Sequence, residues 1–236
     1  MAVPTVMGTS MSTDHAALYR LLSWLSPAYP VGAYTYSHGL EWAVESGEVR
    51  TAAALALWLD GVLHFGGGRS DAIFFAHAYR SAGVASELRE LSELAVALSP
   101  GTERRLETTA QGRAFLAATR SAWPTSELSA FDDLAPEQLA YPVVVAVAAA
   151  GHGIELRAAL AAYLHGFIAN LVSAGVRLIP LGQTQGLALV AGFEDAIADV
   201  TEAALTAPLS GVGGCALAAD LASIQHETQY SRLFRS

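Results

Sequence analysis

No lysine occurs anywhere in this chain of 236 residues; all 13 of its basic residues are arginines. A Walker-type phosphate loop needs a lysine after its glycines, so that route to nucleotide binding is excluded. Acidic residues outnumber basic ones, 22 to 13, for a net charge of −9. Nucleic acids and anionic membranes are held by basic patches, so neither is expected as a partner. Cysteine is almost as scarce. Cys215 stands alone, which excludes an internal disulfide and any Cys-pair zinc site and fits a cytoplasmic location. In its run Gly211-Val212-Gly213-Gly214-Cys215 it reads as a small buried apolar side chain. Charged residues are sparse, at 15%, against 53% hydrophobic. Such a chain can bury a large core but has little polar surface to cover it, so exposed apolar patches and self-association are expected. Long apolar runs are missing too. The stretch from Val143 to Ala150 falls well short of the roughly 20 residues a membrane helix needs. Met1 to Thr13 has neither a charged leader nor an apolar core, so it is expected to be a disordered segment and not a secretory signal, with Met11 as an alternative start.

What is present is helical periodicity. Leu156, Leu160, Tyr163, Leu164, Phe167, Ile168, Leu171 and Val172 recur at spacings of three and four, one apolar stripe on a helix from Ile154 to Ala174. Side-chain caps and glycine or proline stops mark others: Ala16–Leu25 after Thr13-Asp14, Ala52–Phe65 after Thr51, Ala72–Ser81 after Ser70-Asp71, Leu88–Leu98 after Ser86, and one from Thr102-Glu103 to about Thr119. Gly66-Gly67-Gly68 reads as a helix stop. Tyr141–Ala150, Gln185–Leu205 and Leu217–Gln229 are helical in composition, and no alternating stretch of strand length appears. The expectation is an all-α protein: one compact domain of about nine or ten helices over residues 14–225, with a polar tail over 226–236.

Enzymatic constellations fail on inspection. His226-Glu227 would begin a zinc-protease motif, but the second histidine is due four residues on, where Tyr230 stands. Seven scattered histidines and one cysteine form no catalytic or metal-ligating set. No enzyme activity, cofactor or resident metal is expected; a direct nickel-binding chaperone using the histidines is the alternative reading.

Three polar segments stand out from the apolar body. Ser26 to Trp42 sets two prolines and Gly32 ahead of Tyr34, Tyr36 and Ser37, with Ser37 capping a helix that carries Glu41. Pro180-Leu181-Gly182-Gln183-Thr184-Gln185-Gly186 forms a second, glutamine-rich turn. The third is the tail, His226 to Ser236, dense in Tyr, Phe and Arg, the residues that anchor interfaces. It reads as an element for insertion into a partner, loosely packed until the partner arrives.

In order along the chain, these segments resemble the urease accessory protein UreF family. Leu21 to Val49 (LLSWLSPAYPVGAYTYSHGLEWAVESGEV) is similar to that family's amino-terminal signature. Ala110-Gln111-Gly112, Tyr141-Pro142-Val143, Leu171-Val172-Ser173-Ala174 and Arg177 through Thr184 follow, and His226 to Ser236 resembles the family's carboxyl terminus. Two positions depart from the pattern: Pro100-Gly101 ahead of the Glu103 helix, and Gln185 where an acidic residue is common. The resemblance implies an all-α, non-enzymatic homodimer that binds UreD (UreH in some species), recruits and regulates the GTPase UreG, and supports nickel insertion into apo-urease. It further implies that Tyr230, Arg232, Leu233, Phe234 and Arg235 anchor the tail in UreD, and that Tyr36, Ser37, Glu41 and Gln183 face the GTPase.

Overall fold

The computed structural model describes residues 15–236; the expectations for residues 1–13 and for the Thr13-Asp14 cap lie outside it. Eleven α-helices, and no strand, occur among the described residues: α1 (His15–Trp24), α2 (Leu40–Glu45), α3 (Ala52–Phe65), α4 (Gly67–Arg80), α5 (Ala85–Ala97), α6 (Gly101–Ala122), α7 (Tyr141–Gly151), α8 (Leu156–Leu178), α9 (Gln183–Gly192), α10 (Glu194–Thr206) and α11 (Leu217–His226). The fold is all-α, as the periodicity predicts.

At the centre lies α7, buried without interruption from Pro142 to Ala149. A helix apolar on every side has no solvent face to offer, and α7 is enclosed chiefly by α4 and α6. Pro142 sits in its first turn, where a missing N–H costs nothing. Gly112 lets α6 cross the chain just before α7: a Cβ there would lie 2.2 Å from the Leu139 carbonyl oxygen. This is the physical content of the Ala110-Gln111-Gly112 motif. Beside α7 runs α8, whose stripe of Leu160, Tyr163, Leu164, Ile168, Leu171 and Val172 is buried against its neighbours. By length and composition α8 is the one described helix that could cross a membrane, and half of its most apolar window is buried inside the protein.

Several boundaries differ from expectation. Gly66 joins α3 directly to α4, which begins at Gly67 and not at a Ser70-Asp71 cap. A Cβ on Gly68 would meet the Leu63 backbone at 2.8 Å, so the glycine run makes a tight helix junction and not a plain stop. The stretch 185–205 is two helices, broken at Phe193, whose side chain turns into the core. Cys215 is exposed. Its N–H donates to the Phe65 carbonyl, and this close backbone approach leaves the thiol outside.

Candidate functional site

The tail is not loose. It folds back across α2 and the start of α6, and its polar groups end in a buried network. Ser37, Glu41, Glu107, His226, Phe234 and Ser236 are all buried.

Glu41 is the centre of that network. Its helix is set by Gly39 at φ +74, where α11 crosses so closely that a Cβ would meet Ser223 N at 2.5 Å. The Glu41 N–H donates to Ser37 Oγ at 3.3 Å. The Glu41 carboxylate accepts from the tail backbone, Leu233 N at 2.6 Å and Phe234 N at 2.8 Å. His226 Nε2 lies 3.0 Å from the same group, and Nδ1 lies 2.6 Å from Glu103 Oε2. Arg232 completes the row at 2.5 Å from Glu103 Oε1.

Further clasps hold each end. Glu227 Oε1 accepts from Thr102 N at 2.5 Å and Glu103 N at 3.3 Å, capping α6. This accounts for the Pro100-Gly101 departure. Gly101 sits at φ +78, and a Cβ there would lie 2.7 Å from Glu227 Oε1. At the far end both Ser37 N (2.7 Å) and Ser37 Oγ (2.5 Å) donate to the backbone oxygen of Ser236. Arg235 N donates to Thr35 O at 2.7 Å. Phe234 is packed under Arg177, whose guanidinium lies 4.2 Å from the ring centroid and donates to Tyr34 O.

Ser236 Oγ donates to Glu107, which also pairs with Arg104 and with His38 Nε2 at 2.7 Å. Burial pushes the Glu107 carboxyl up, but Arg104, His38 and the Ser236 hydroxyl more than offset it, leaving it at about 2. Burial and the adjacent Arg104 hold His38 low, so it donates to Glu107 as a neutral imidazole. His38, Arg104 and Asp71 lie in the walls of both of two open pockets, of about 240 and 210 Å³. Burial raises Asp71 to about 6, although Tyr163 donates a 2.8 Å hydrogen bond to it.

The sequence-expected residues thus fall into two groups. Tyr36, Ser37 and Glu41 are buried beneath the tail, and Phe234 is buried within it. They form the tail's seat, not a free surface. Tyr230 and Leu233 are exposed, at 105% and 63%, as are Arg232 and Arg235. Gln183 is exposed at the start of α9, where Gln185 Oε1 accepts from Gly182 N in place of an acidic cap. Sequence reasoning missed Glu103, Glu107, Arg177 and the capping role of Glu227. The first residues of α6 carry Glu103 and Glu107 beside Arg104 and Arg105, so no excess of one charge marked them. His226 spends both ring nitrogens on carboxylates. Among the described residues no group of three or more His, Cys, Asp or Glu side chains is placed to hold a metal ion.

Fold and site define a class first: an all-helical protein organised around its own docked carboxyl-terminal segment. The UreF family model matches residues 49–194. Over 238 residues, covering 100% of this chain and 98% of the relative, the chain is 49% identical to "Urease accessory protein UreF" of Rhodopseudomonas palustris strain BisB5. It is 49% identical over 237 residues to the protein of that name from Bradyrhizobium sp. strain BTAi1, covering 99% and 98%. The value is 51% over 219 residues for that of Methylobacterium sp. strain 4-46, covering 92% and 87%. The chain belongs to the UreF family.

Proposed function

We propose that this chain is a non-enzymatic urease maturation factor of the cytoplasm. It acts as a homodimeric scaffold that binds UreD (UreH) through its tail and recruits and regulates the GTPase UreG for nickel insertion into apo-urease. Family membership and the names of the relatives support the urease role. The observation that carries the tail's part is its two-sidedness. One side, His226, Phe234 and Ser236, is buried in the body, while Tyr230 and Leu233 face outward; Arg232 and Arg235 are exposed but already engaged, Arg232 with Glu103 and Arg235 with Tyr36.

Ordering a free segment costs about 1–2 kcal/mol per residue in backbone entropy. A tail already held in cis meets that cost before the partner arrives, and so favours association. Tyr36, Ser37 and Glu41 act in this reading through the tail they hold. Gln183 remains a direct contact for the GTPase.

Deletion of residues 226–236 should abolish UreD capture in a pull-down while far-UV circular dichroism keeps its helical signature. Leu233→Asp, which alters only an outward side chain, should weaken capture at least tenfold with the fold intact. Wild-type capture by both variants would overturn the tail's assignment.

A further inference from the structure

The body keeps one carboxylate that no cation of its own answers. Asp71, on α4, is half-buried, and its Oδ2 accepts from the Tyr163 hydroxyl at 2.8 Å. No donor among the described residues reaches its other oxygen, Oδ1. Arg104 acts on Asp71 from a distance but is paired with Glu107, which also takes His38. Two carboxylates here face one guanidinium, and the charge left over belongs to Asp71. An unmatched carboxylate costs stability. A charge kept at such a cost in a cleft marks a site that uses it.

Asp71 stands in the wall of the open pocket of about 240 Å³, and much of the rest of that wall is aromatic. Tyr34 is exposed and Trp24 fully buried. Tyr141 and Tyr163 have ring centroids 5.7 Å apart, and Phe167 completes the set. The Trp24 Nε1–H meets no acceptor, a second polar group in this wall without a protein partner. Aromatic faces attract cations, and a lone carboxylate among them selects a cation that brings its own N–H groups. A metal ion is not served, because no three ligating side chains converge among the described residues. A guanidinium fork needs two parallel acceptors, and Tyr163 already takes one oxygen of Asp71. A compact ammonium needs only the other. The chain has no lysine, so neither it nor a second copy can supply a side-chain ammonium. No residue of the carboxyl-terminal tail lines the pocket, so the site stands apart from the tail.

We propose that this pocket binds a primary ammonium group, with Asp71 Oδ1 as its acceptor and the aromatic side chains around its charge and aliphatic stem. A small alkyl amine and the lysine side chain of a partner present the same chemistry, an NH₃⁺ at the end of a flexible apolar chain. The pocket is open, so either source can enter from solvent.

The test is calorimetric titration of the isolated full chain at about pH 8, where Asp71 is ionised. The probes are n-butylammonium, Nα-acetyl-lysine amide and tetramethylammonium. Butylammonium should bind with a Kd below about 1 mM. Tetramethylammonium, a cation without N–H groups, should bind at least tenfold more weakly. Asp71→Asn removes the charge and keeps an acceptor for Tyr163. It should weaken butylammonium at least tenfold, with the helical circular dichroism unchanged. Glu90→Gln, which removes an exposed carboxylate on α5, should bind as the unaltered chain does. Binding of the lysine amide beside butylammonium assigns the pocket to a side chain as well as to free amines, and its exclusion assigns the pocket to free amines alone. The proposal fails if neither primary amine binds, if tetramethylammonium binds equally well, or if Asp71→Asn binds as the unaltered chain does.

Discussion

A buried carboxylate costs stability unless something offsets its charge. Asp71 is a half-buried case: its hydrogen-bond donor is the neutral Tyr163, and lost hydration lifts it to about 6. A carboxyl raised on folding binds its proton more tightly in the folded state. Its contribution is therefore favourable below its ordinary value near 3.8 and declines as pH rises through about 6. A rise of about two units corresponds to at most about 3 kcal/mol at neutral pH. Asp71→Asn keeps an acceptor for Tyr163 and removes the charge. It should raise stability by about 1–2 kcal/mol in urea denaturation at pH 8 and leave it nearly unchanged at pH 4. Glu107 runs the other way. Held at about 2, it supports the fold above its ordinary value near 4.5 and loses that support as pH falls toward 2.

At the scale of elements, α6 depends on the tail for its start. Its first N–H groups are met by Glu227, 124 and 125 residues away in sequence, and not by a local Ser or Thr. Glu227→Ala should cost about 1 kcal/mol, the usual worth of a helix cap, read as a shift in the urea midpoint with unchanged slope. Such a dependence explains what was legible. Helices with local caps or a full apolar stripe, such as α3 after Thr51 and α8 with its row from Leu156 to Val172, were readable from spacing alone. The break at Phe193 was not, because a buried aromatic fits a helical period on either side of it. The opening of α4 at Gly67 was hidden as well. Its glycine run serves close packing on Leu63, which no local pattern reports.

For the whole molecule, the residues of the candidate site were visible in the sequence but their relation was not. Glu41 and Phe234 lie 193 positions apart and are joined by one hydrogen bond. An unusual composition marked both segments. Nothing local could say that one is the seat of the other. This closure also makes the deletion of residues 226–236 informative about stability. It uncovers Glu41 and the start of α6, so the truncated protein should melt several degrees below the full chain while retaining its helices.

The clasp on Ser236 bears on how the protein is handled. Ser236 has 0% exposure, its backbone oxygen takes two donors from Ser37, and its hydroxyl reaches Glu107. Anything fused after this residue would have to thread out of a filled space, so a purification handle belongs at the other end. A carboxyl-terminal hexahistidine fusion should show tail amides that exchange freely and a poor yield of UreD complex, whereas an amino-terminal fusion should match the untagged protein in both.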